Sequence, residues 1–446
     1  DPADEYLADG MTDELISTLS KISAFRVIAR TSVMQYKSRP KTIAEIGREL
    51  RVGAVLEGSV RKAADQLRIT AKLVNVKSQE PVWSQDYDLP FGDVFGVQTD
   101  VAQRVAEALQ VGVLSGEKRR LERKPTQNLE AYNLYLKGRY YLEKLTEEGA
   151  DKALESFNRA IDLDPTFALA YTGLSDTYYR FSNLWWPPKE VMPKARAAAL
   201  KALELDESLA EAHTSLAVVK SLYDWDWAAG EKEFKRAIEL NHGYAYARHM
   251  YGMLLISQGW SEKARAELKL AQELDPLSPY LAVGTVWPFY YAPPSARQYD
   301  RAISELQKII QLTPHPLAHI LLGQLYRGKK MFSEAIAELK RAAALDNSGY
   351  VVAQLGSVYA ATGMKTEAQK LLAGLVKRSK SEHIASMAIA ILWVSTGEND
   401  SAFIYLQKAY VARDEDMIWL NVDPWFDPLR ANPRFTALLK KMGLEK

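Results

Sequence analysis

The sequence predicts an α+β domain over residues 1–114 followed by an all-α superhelix of stacked helical hairpins. Three observations carry this prediction. An apolar pattern recurs at steps of 33 to 42 residues from Ala153 to Ala409. Before residue 114 the apolar period alternates between that of a helix and that of a strand. The chain has 446 residues, 47% hydrophobic and 25% charged, a folded composition in a chain too long for one core.

In the first region, residues 11–22 place Leu15, Ile16, Leu19 and Ile22 on one helical face, with Thr12 as N-cap and Asp13 and Glu14 in the first turn. Residues 25–29 read as a short apolar strand. Residues 42–50 form a second helix, opened by a capping box of Thr42 and Glu45. Three strands follow at 54–61, 67–73 and 82–89, the first two joined by a polar turn at Asp65 and Gln66. Residues 94–113 close the domain as an amphipathic helix. The order predicts a sheet with helices packed on one face.

Residues 115–130 carry Lys118, Arg119, Arg120, Arg123 and Lys124 and read as a solvated helical linker rather than a nucleic-acid contact. From 131 to 412 the repeat takes over. In one unit, residues 245–277, Tyr251, Gly252 and Leu255 belong to a first helix and Ala264, Leu268 and Ala271 to a second. Gly259 lies between the helices and Pro276 marks the end. Small Gly252 and Ala264 let the paired helices approach closely. The same frame returns at Ala153, Ala195, Gly230, Ala302, Ala335, Ala368 and Ala402, giving about eight units; Pro165 and Pro314 end two of them. This pattern resembles the tetratricopeptide repeat.

Such hairpins bury their apolar faces only against the next copy, so they stack into a superhelix with a concave groove. Groove positions implied by the resemblance are Tyr132, Tyr135, Arg139, Asp176, Tyr179, Tyr246, His249, Gln324 and Arg327. These are the expected partner-binding residues, Tyr and Arg combining contact area with a hydrogen-bonding tip. The family's clamp for carboxylate-ended peptides needs Lys and Asn in the groove; no such pair stands there. Residues 413–446 read as a loop and a helix capping the open end of the array.

In the first region, the runs from Tyr6 to Leu15, from Val27 to Val33 and from Leu56 to Val60 resemble the TolB-type amino-terminal (FlgO-like) domain. That domain precedes tetratricopeptide arrays in bacterial adenylate cyclases, membrane-bound kinases and ToxR-like winged-helix regulators. The resemblance implies no enzymatic activity. It implies a further strand upstream of Asp1, an output domain and a membrane segment beyond it, and a periplasmic or extracytoplasmic place for this portion.

Other chemistries find little support. With no Cys there is no thiolate metal site and no disulfide, and 57 basic against 56 acidic residues give no field for gathering nucleic acid. The uncharged stretch 276–296 carries five prolines and is no membrane span. Residues 323–330 have the spacing of a phosphate loop but the wrong context and Lys330 where Ser or Thr belongs. His315 and His319 lack a third ligand. No catalytic residue, metal or cofactor is therefore assigned. Trp185, Trp186, Trp287 and Tyr290 lie on insertions, where they fold back on neighbouring repeats or serve as an interface.

The functional expectation is a non-catalytic interaction and sensory module of a bacterial signalling protein that takes a protein or peptide in the groove. The alternative is a self-assembling structural protein that forms homo-oligomers or filaments through its repeats and its open sheet edge.

Overall fold

The computed structural model describes residues 5–39, 41–63, 66–90, 94–312 and 315–445. The expected turn residue Asp65 and the repeat-ending Pro314 lie outside them. Helix α1, Glu5–Ser20, begins earlier than its sequence signals suggest. Thr12 is not its cap: the residue sits inside the helix, its Oγ1 donating to Ala8 O at 2.9 Å. Buried Leu7 and Met11 extend the apolar stripe through this added turn.

Residues 25–29 are extended but form no ladder among the described residues; Ala29 N donates instead to Leu274 O, in the repeats, at 2.8 Å. Two short turns follow, α2 (Arg30–Val33) and α3 (Gln35–Ser38). Helix α4, Ile43–Leu50, carries the Thr42–Glu45 capping box and ends at Arg51 in the left-handed region. Strands β1 (Ala54–Ala63), β2 (Gln66–Asn75) and β3 (Pro81–Pro90) make an antiparallel meander in the order β1-β2-β3.

Along β2, Leu67, Ile69, Ala71 and Leu73 are buried, while Arg68 points outward to pair with Asp88 across the strands at 2.6 Å. Helix α5, Val94–Ala108, aligns Val97, Val101 and Val105 on its buried face. It stops five residues short of the expected end, because Gln110 turns left-handed and Val111 N caps Ala106 O at 2.8 Å. The basic linker contains helix α6, Ser115–Glu122.

Eight helical hairpins follow among the described residues. Repeat 1 pairs Leu129–Leu142 with Glu147–Leu163, and repeat 2 pairs Ala168–Phe181 with Pro188–Leu205. Repeat 3 runs Ala210–Val218 into a π turn, Val219–Asp224, and returns along Trp227–Leu240. Repeat 4 is Ala245–Ser257 and Ser261–Leu274. Repeat 5 breaks its first helix into Pro279–Gly284 and Trp287–Tyr290 before Tyr299–Leu312. Repeats 6, 7 and 8 pair Pro316–Gly328 with Phe332–Leu345, Gly349–Ala361 with Lys365–Arg378, and Ser386–Ser395 with Asn399–Ala412.

The anchors Ala153, Ala195, Ala264, Ala302, Ala335, Ala368 and Ala402 are all fully buried. Close approach explains the glycine of repeat 4: a Cβ on Gly252 would lie 2.6 Å from Leu268 Cγ.

The array does not end open. Residues beyond Ala412, expected as a cap on one end, turn back across the concave side and reach repeats 3, 5 and 6. The Trp225 and Tyr410 rings stand 5.1 Å apart, and the Arg413 guanidinium covers Trp225 at 4.0 Å. Trp227 Nε1 donates to Met442 O at 2.7 Å. Arg297 pairs with Asp427 at 2.6 Å, and Arg327 lies 3.4 Å over the Trp425 ring. Farther round, His383 Nε2 meets Asn183 Oδ1 at 3.1 Å, joining the approach to repeat 8 to the loop of repeat 2.

The physical cause is apolar surface. Met417, Ile418, Leu420, Trp425, Phe426 and Leu429 are almost fully buried, and the face of one terminal repeat would not cover them all. Their core is continuous with Phe234, Leu268, Leu306 and Leu406 of the repeats. A second core joins Leu7, Leu67 and Val101 of the α+β region to Tyr132, Phe157 and Phe181 of repeats 1 and 2. Among the described residues no helix is long and apolar enough to cross a membrane.

Candidate partner-binding cavity

Helix α1 and the segment after it lie against the concave side of repeats 1, 3 and 4. Arg139 Nη2 of repeat 1 donates to Asp13 Oδ2 at 2.8 Å, and the Tyr135 hydroxyl donates to Glu14 Oε1 at 3.1 Å. Ser17 Oγ donates to Glu211 Oε1 of repeat 3 at 3.1 Å. Beyond repeat 4, Ser32 N and Oγ both donate to Asp275 Oδ1, at 2.8 and 2.5 Å, and Gln35 Nε2 donates to Leu277 O at 2.9 Å. The linker adds Arg123 against Asp206 of repeat 2 at 2.6 Å. Each contact satisfies a polar group at the end or inner face of a repeat that would otherwise face the hollow.

What remains between α1, the repeats and the returning C-terminal segment is a cavity of about 2070 Å³. It exceeds the usual size of a small-molecule site. One part of its wall is ionic, with Asp13, Glu14, Arg139, Glu143, Asp176 and Arg180. Arg180 pairs with Glu143 at 2.8 Å, and Ser215 Oγ donates to Asp176 Oδ1 at 2.5 Å.

Burial pushes the Glu14 carboxyl up to about 7 and Asp176 up to about 6. Glu143 is buried as well, yet Arg180 and Arg139 outweigh the loss of water and hold it down at about 2. The other part of the wall is aromatic. Tyr179, Tyr246, Tyr280, Trp287, Tyr350 and Trp419 line it, together with Glu415 and Asp416.

Of the nine groove residues expected from the sequence, Tyr135, Arg139, Asp176, Tyr179, Tyr246 and Gln324 line this cavity. Three do not reach it. Tyr132 is fully buried, its hydroxyl taking a hydrogen bond from Gln98 of α5 at 2.9 Å. His249 is fully buried beside Tyr280 and Trp287, at ring separations of 4.5 and 5.4 Å. Arg327 is taken up by Trp425. Tyr132 and Arg327 are covered by segments outside the array, and His249 by the broken first helix of the next repeat.

The insertion aromatics fold back. Trp185 and Trp186 pack on Phe181, at 5.2 and 5.9 Å, and Trp185 also borders the cavity. Trp287 meets Trp419 at 6.0 Å, and Tyr290 is 1% exposed, which removes it as an interface residue.

The histidine pair is divided between two local tasks: His315 Nδ1 accepts from Leu317 N at 3.2 Å, and His319 Nδ1 meets Glu338 at 2.6 Å. Residues 323–328 belong to the first helix of repeat 6, and only Lys329 and Lys330 turn. Sequence reasoning missed Asp13, Glu14, Glu415, Asp416 and Trp419. The first two read as ordinary first-turn acids and the others as part of a cap. Their signal was that the last segment carries more large apolar residues than one cap would bury.

Family profiles described as tetratricopeptide repeat match residues 245–276 and 295–350, inside repeat 4 and across repeats 5 and 6. The helical array is a tetratricopeptide-repeat array. Tetratricopeptide repeats are scaffolds for protein–protein interaction, a fold generally without catalysis. Among curated proteins, the putative adenylate cyclase 3 of Rhizobium meliloti is 34% identical over 223 residues. That alignment covers 50% of this chain and 38% of the cyclase, so the chain spans well under half of its relative's length.

Among solved structures, a tetratricopeptide repeat protein from Parabacteroides merdae aligns at 15% identity and a TM-score of 0.44, covering 60% of this chain and all of that one. Yeast Tom70 aligns at 15% identity and a TM-score of 0.46, covering 79% and 82%.

Proposed function

We propose that this chain is a non-catalytic interaction and sensory module of a bacterial signalling protein. A protein or peptide segment enters the central cavity, and the docked α+β region, read as a TolB-type domain, responds to its presence. One observation carries this reading: the cavity wall is shared. Asp13, Glu14 and Ser17 of α1 face the same space as Tyr135, Arg139, Asp176, Tyr179 and Tyr246 of the repeats. An occupant that fills the cavity touches both the repeats and α1 and competes with the Arg139–Asp13 and Ser17–Glu211 contacts. The name of the 34% identical relative supports a signalling context, with the output in a domain outside this chain.

The test is capture by a photo-crosslinking residue placed at Tyr246, followed by competition with Tyr179→Ala and Arg139→Ala variants. The proposal expects a specific partner whose capture falls at least tenfold in both. Capture that is undiminished in both variants counts against it.

The alternative, self-association, is supported by the sheet. Strand β1 has no neighbour on its outer edge among the described residues, and such an edge accepts a strand from another copy. Light scattering that gives a monomer mass at high protein concentration would exclude it.

A further inference from the structure

The aromatic part of the cavity holds two acids that have no basic partner among the described residues. Glu415 and Asp416 open a short 3-10 turn, Glu415–Trp419, on the segment that returns through the superhelix, and both face the cavity. Neither forms an ion pair with a basic side chain among the described residues, and no cation of the chain bears on them. The two arginines of the opposite wall are already engaged, Arg139 with Asp13 and Arg180 with Glu143.

Glu415 Oε1 is shut off from solvent and has no hydrogen-bond partner in suitable geometry. Burial pushes Glu415 up to about 8, the adjacent Ser182 hydroxyl opposing and the Asp416 and Asp414 charges adding; burial alone pushes Asp416 to about 6. Both residues are half-buried, and with no cation beside it Glu415 keeps its proton at neutral pH; a bound cation would favour the charged carboxylate.

Aromatic rings line the cavity wall near these acids, with Tyr291 stacked on one face of Trp419 at 4.8 Å. Tyr280 and Trp287 stand nearly perpendicular, at 84° and 6.1 Å, and Trp287 meets Trp419 at 63° and 6.0 Å. Tyr246 completes the wall beside Glu415, and all four rings keep a partly accessible face. Ring faces carry negative electrostatic potential, and several rings at large mutual angles around carboxylates are the arrangement that attracts an organic cation.

We infer that this subsite seats an organic cation, a guanidinium or alkylammonium group, against Tyr246, Tyr280, Trp287 and Trp419, with Glu415 and Asp416 as its counter-charges. The inference rests on the peptide-binding reading and narrows it to partners that present an Arg or Lys side chain at this point. It is the opposite polarity to a clamp for carboxylate-ended peptides.

The test uses tryptophan fluorescence of the full chain titrated with acetyl-Gly-Arg-Gly-amide, with its citrulline counterpart, and with free agmatine. Citrulline keeps the shape of the side chain and removes its charge, so this comparison leaves the protein's folding untouched. The inference expects saturable quenching by the arginine peptide and at least tenfold weaker binding of the citrulline peptide. A Glu415→Gln, Asp416→Asn double variant should lose the same factor while its melting temperature stays level or rises. Agmatine binding as tightly as the peptide identifies a free amine as the source of the cation; weaker agmatine binding identifies a peptide.

Equal binding of the arginine and citrulline peptides, or no saturable response to either cation, overturns the inference. In that event a partner captured at Tyr246 regardless of its charge still leaves the wider reading standing.

Discussion

Ser32 and Asp275 lie 243 positions apart and are joined at one buried point, where the Ser32 amide and hydroxyl both donate to the same carboxylate oxygen. The hydroxyl also accepts from Leu277 N at 2.8 Å, so a single side chain ties the α+β region to the end of repeat 4. Ser32→Ala removes both hydroxyl contacts and leaves a buried amide and carboxylate short of partners. We expect a loss of about 1–3 kcal/mol in chemical denaturation. Hydrogen exchange should rise over residues 26–35 and stay unchanged in repeats 7 and 8.

Arg139→Ala leaves Asp13 facing the cavity without its counter-charge. Because both side chains keep some access to water, the expected loss is about 2–3 kcal/mol, below that of a fully buried pair. In a double-mutant cycle with Asp13→Asn the double variant should lose less than the sum of the two single losses, since removing the second charge relieves the first.

Glu14 makes stability depend on pH in a defined direction. Burial, with the Asp13 charge adding, raises its carboxyl from 4.5 to about 7, so the folded chain keeps a proton that the unfolded chain sheds. Its contribution to stability is therefore fully present below pH 4.5 and lost as pH rises through 7. Glu14→Gln removes that loss while keeping an acceptor for Tyr135. The variant should melt roughly 1–3 °C above the parent at pH 8 and equal it near pH 4 by scanning calorimetry.

Two glycines of similar helical setting should respond in opposite ways to alanine. On Gly138 a Cβ would stand 2.5 Å from the Phe157 ring, whereas on Gly374 it meets nothing within 4 Å. Gly138→Ala should cost about 1–3 kcal/mol through overpacking. Gly374→Ala should stabilise by about 0.5–1 kcal/mol, as expected for helix propensity.

Arg413→Ala tests the closure. It strips the guanidinium from Trp225 and should cost about 1–2 kcal/mol. Limited proteolysis should cut the chain after residue 412 several-fold faster, with cleavage in repeats 1 and 2 unchanged.

The hairpins were legible because each one obeys a local rule: Ala264, Leu268 and Ala271 are buried by their own spacing, whatever the rest of the chain does. The capping box at Thr42 and the meander were legible for the same reason. Thr12 and residues 25–29 were misread where the deciding contact is remote. A hydroxyl inside a helix looks like a cap until the turn before it is packed, and an extended run looks like a strand until its partner proves to be Leu274 O.

The candidate site was half legible. The first helices of the repeats supply six lining residues by position alone. Tyr132 and Arg327 are covered by segments whose approach no periodicity encodes, His249 by the next repeat, and Glu415 and Trp419 enter from the returning C-terminal segment.

The meeting of Trp225 with Tyr410 carries a constraint that open arrays do not have. A solenoid with free ends tolerates a unit added or deleted, since each copy needs only its neighbours. Here a hairpin added or removed between repeats 3 and 8 would rotate Tyr410 away from Trp225 and carry Met442 away from Trp227. The number of units from repeat 3 to repeat 8 is thus fixed by geometry at six, and this stretch should diversify by substitution within hairpins rather than by gain or loss of whole ones.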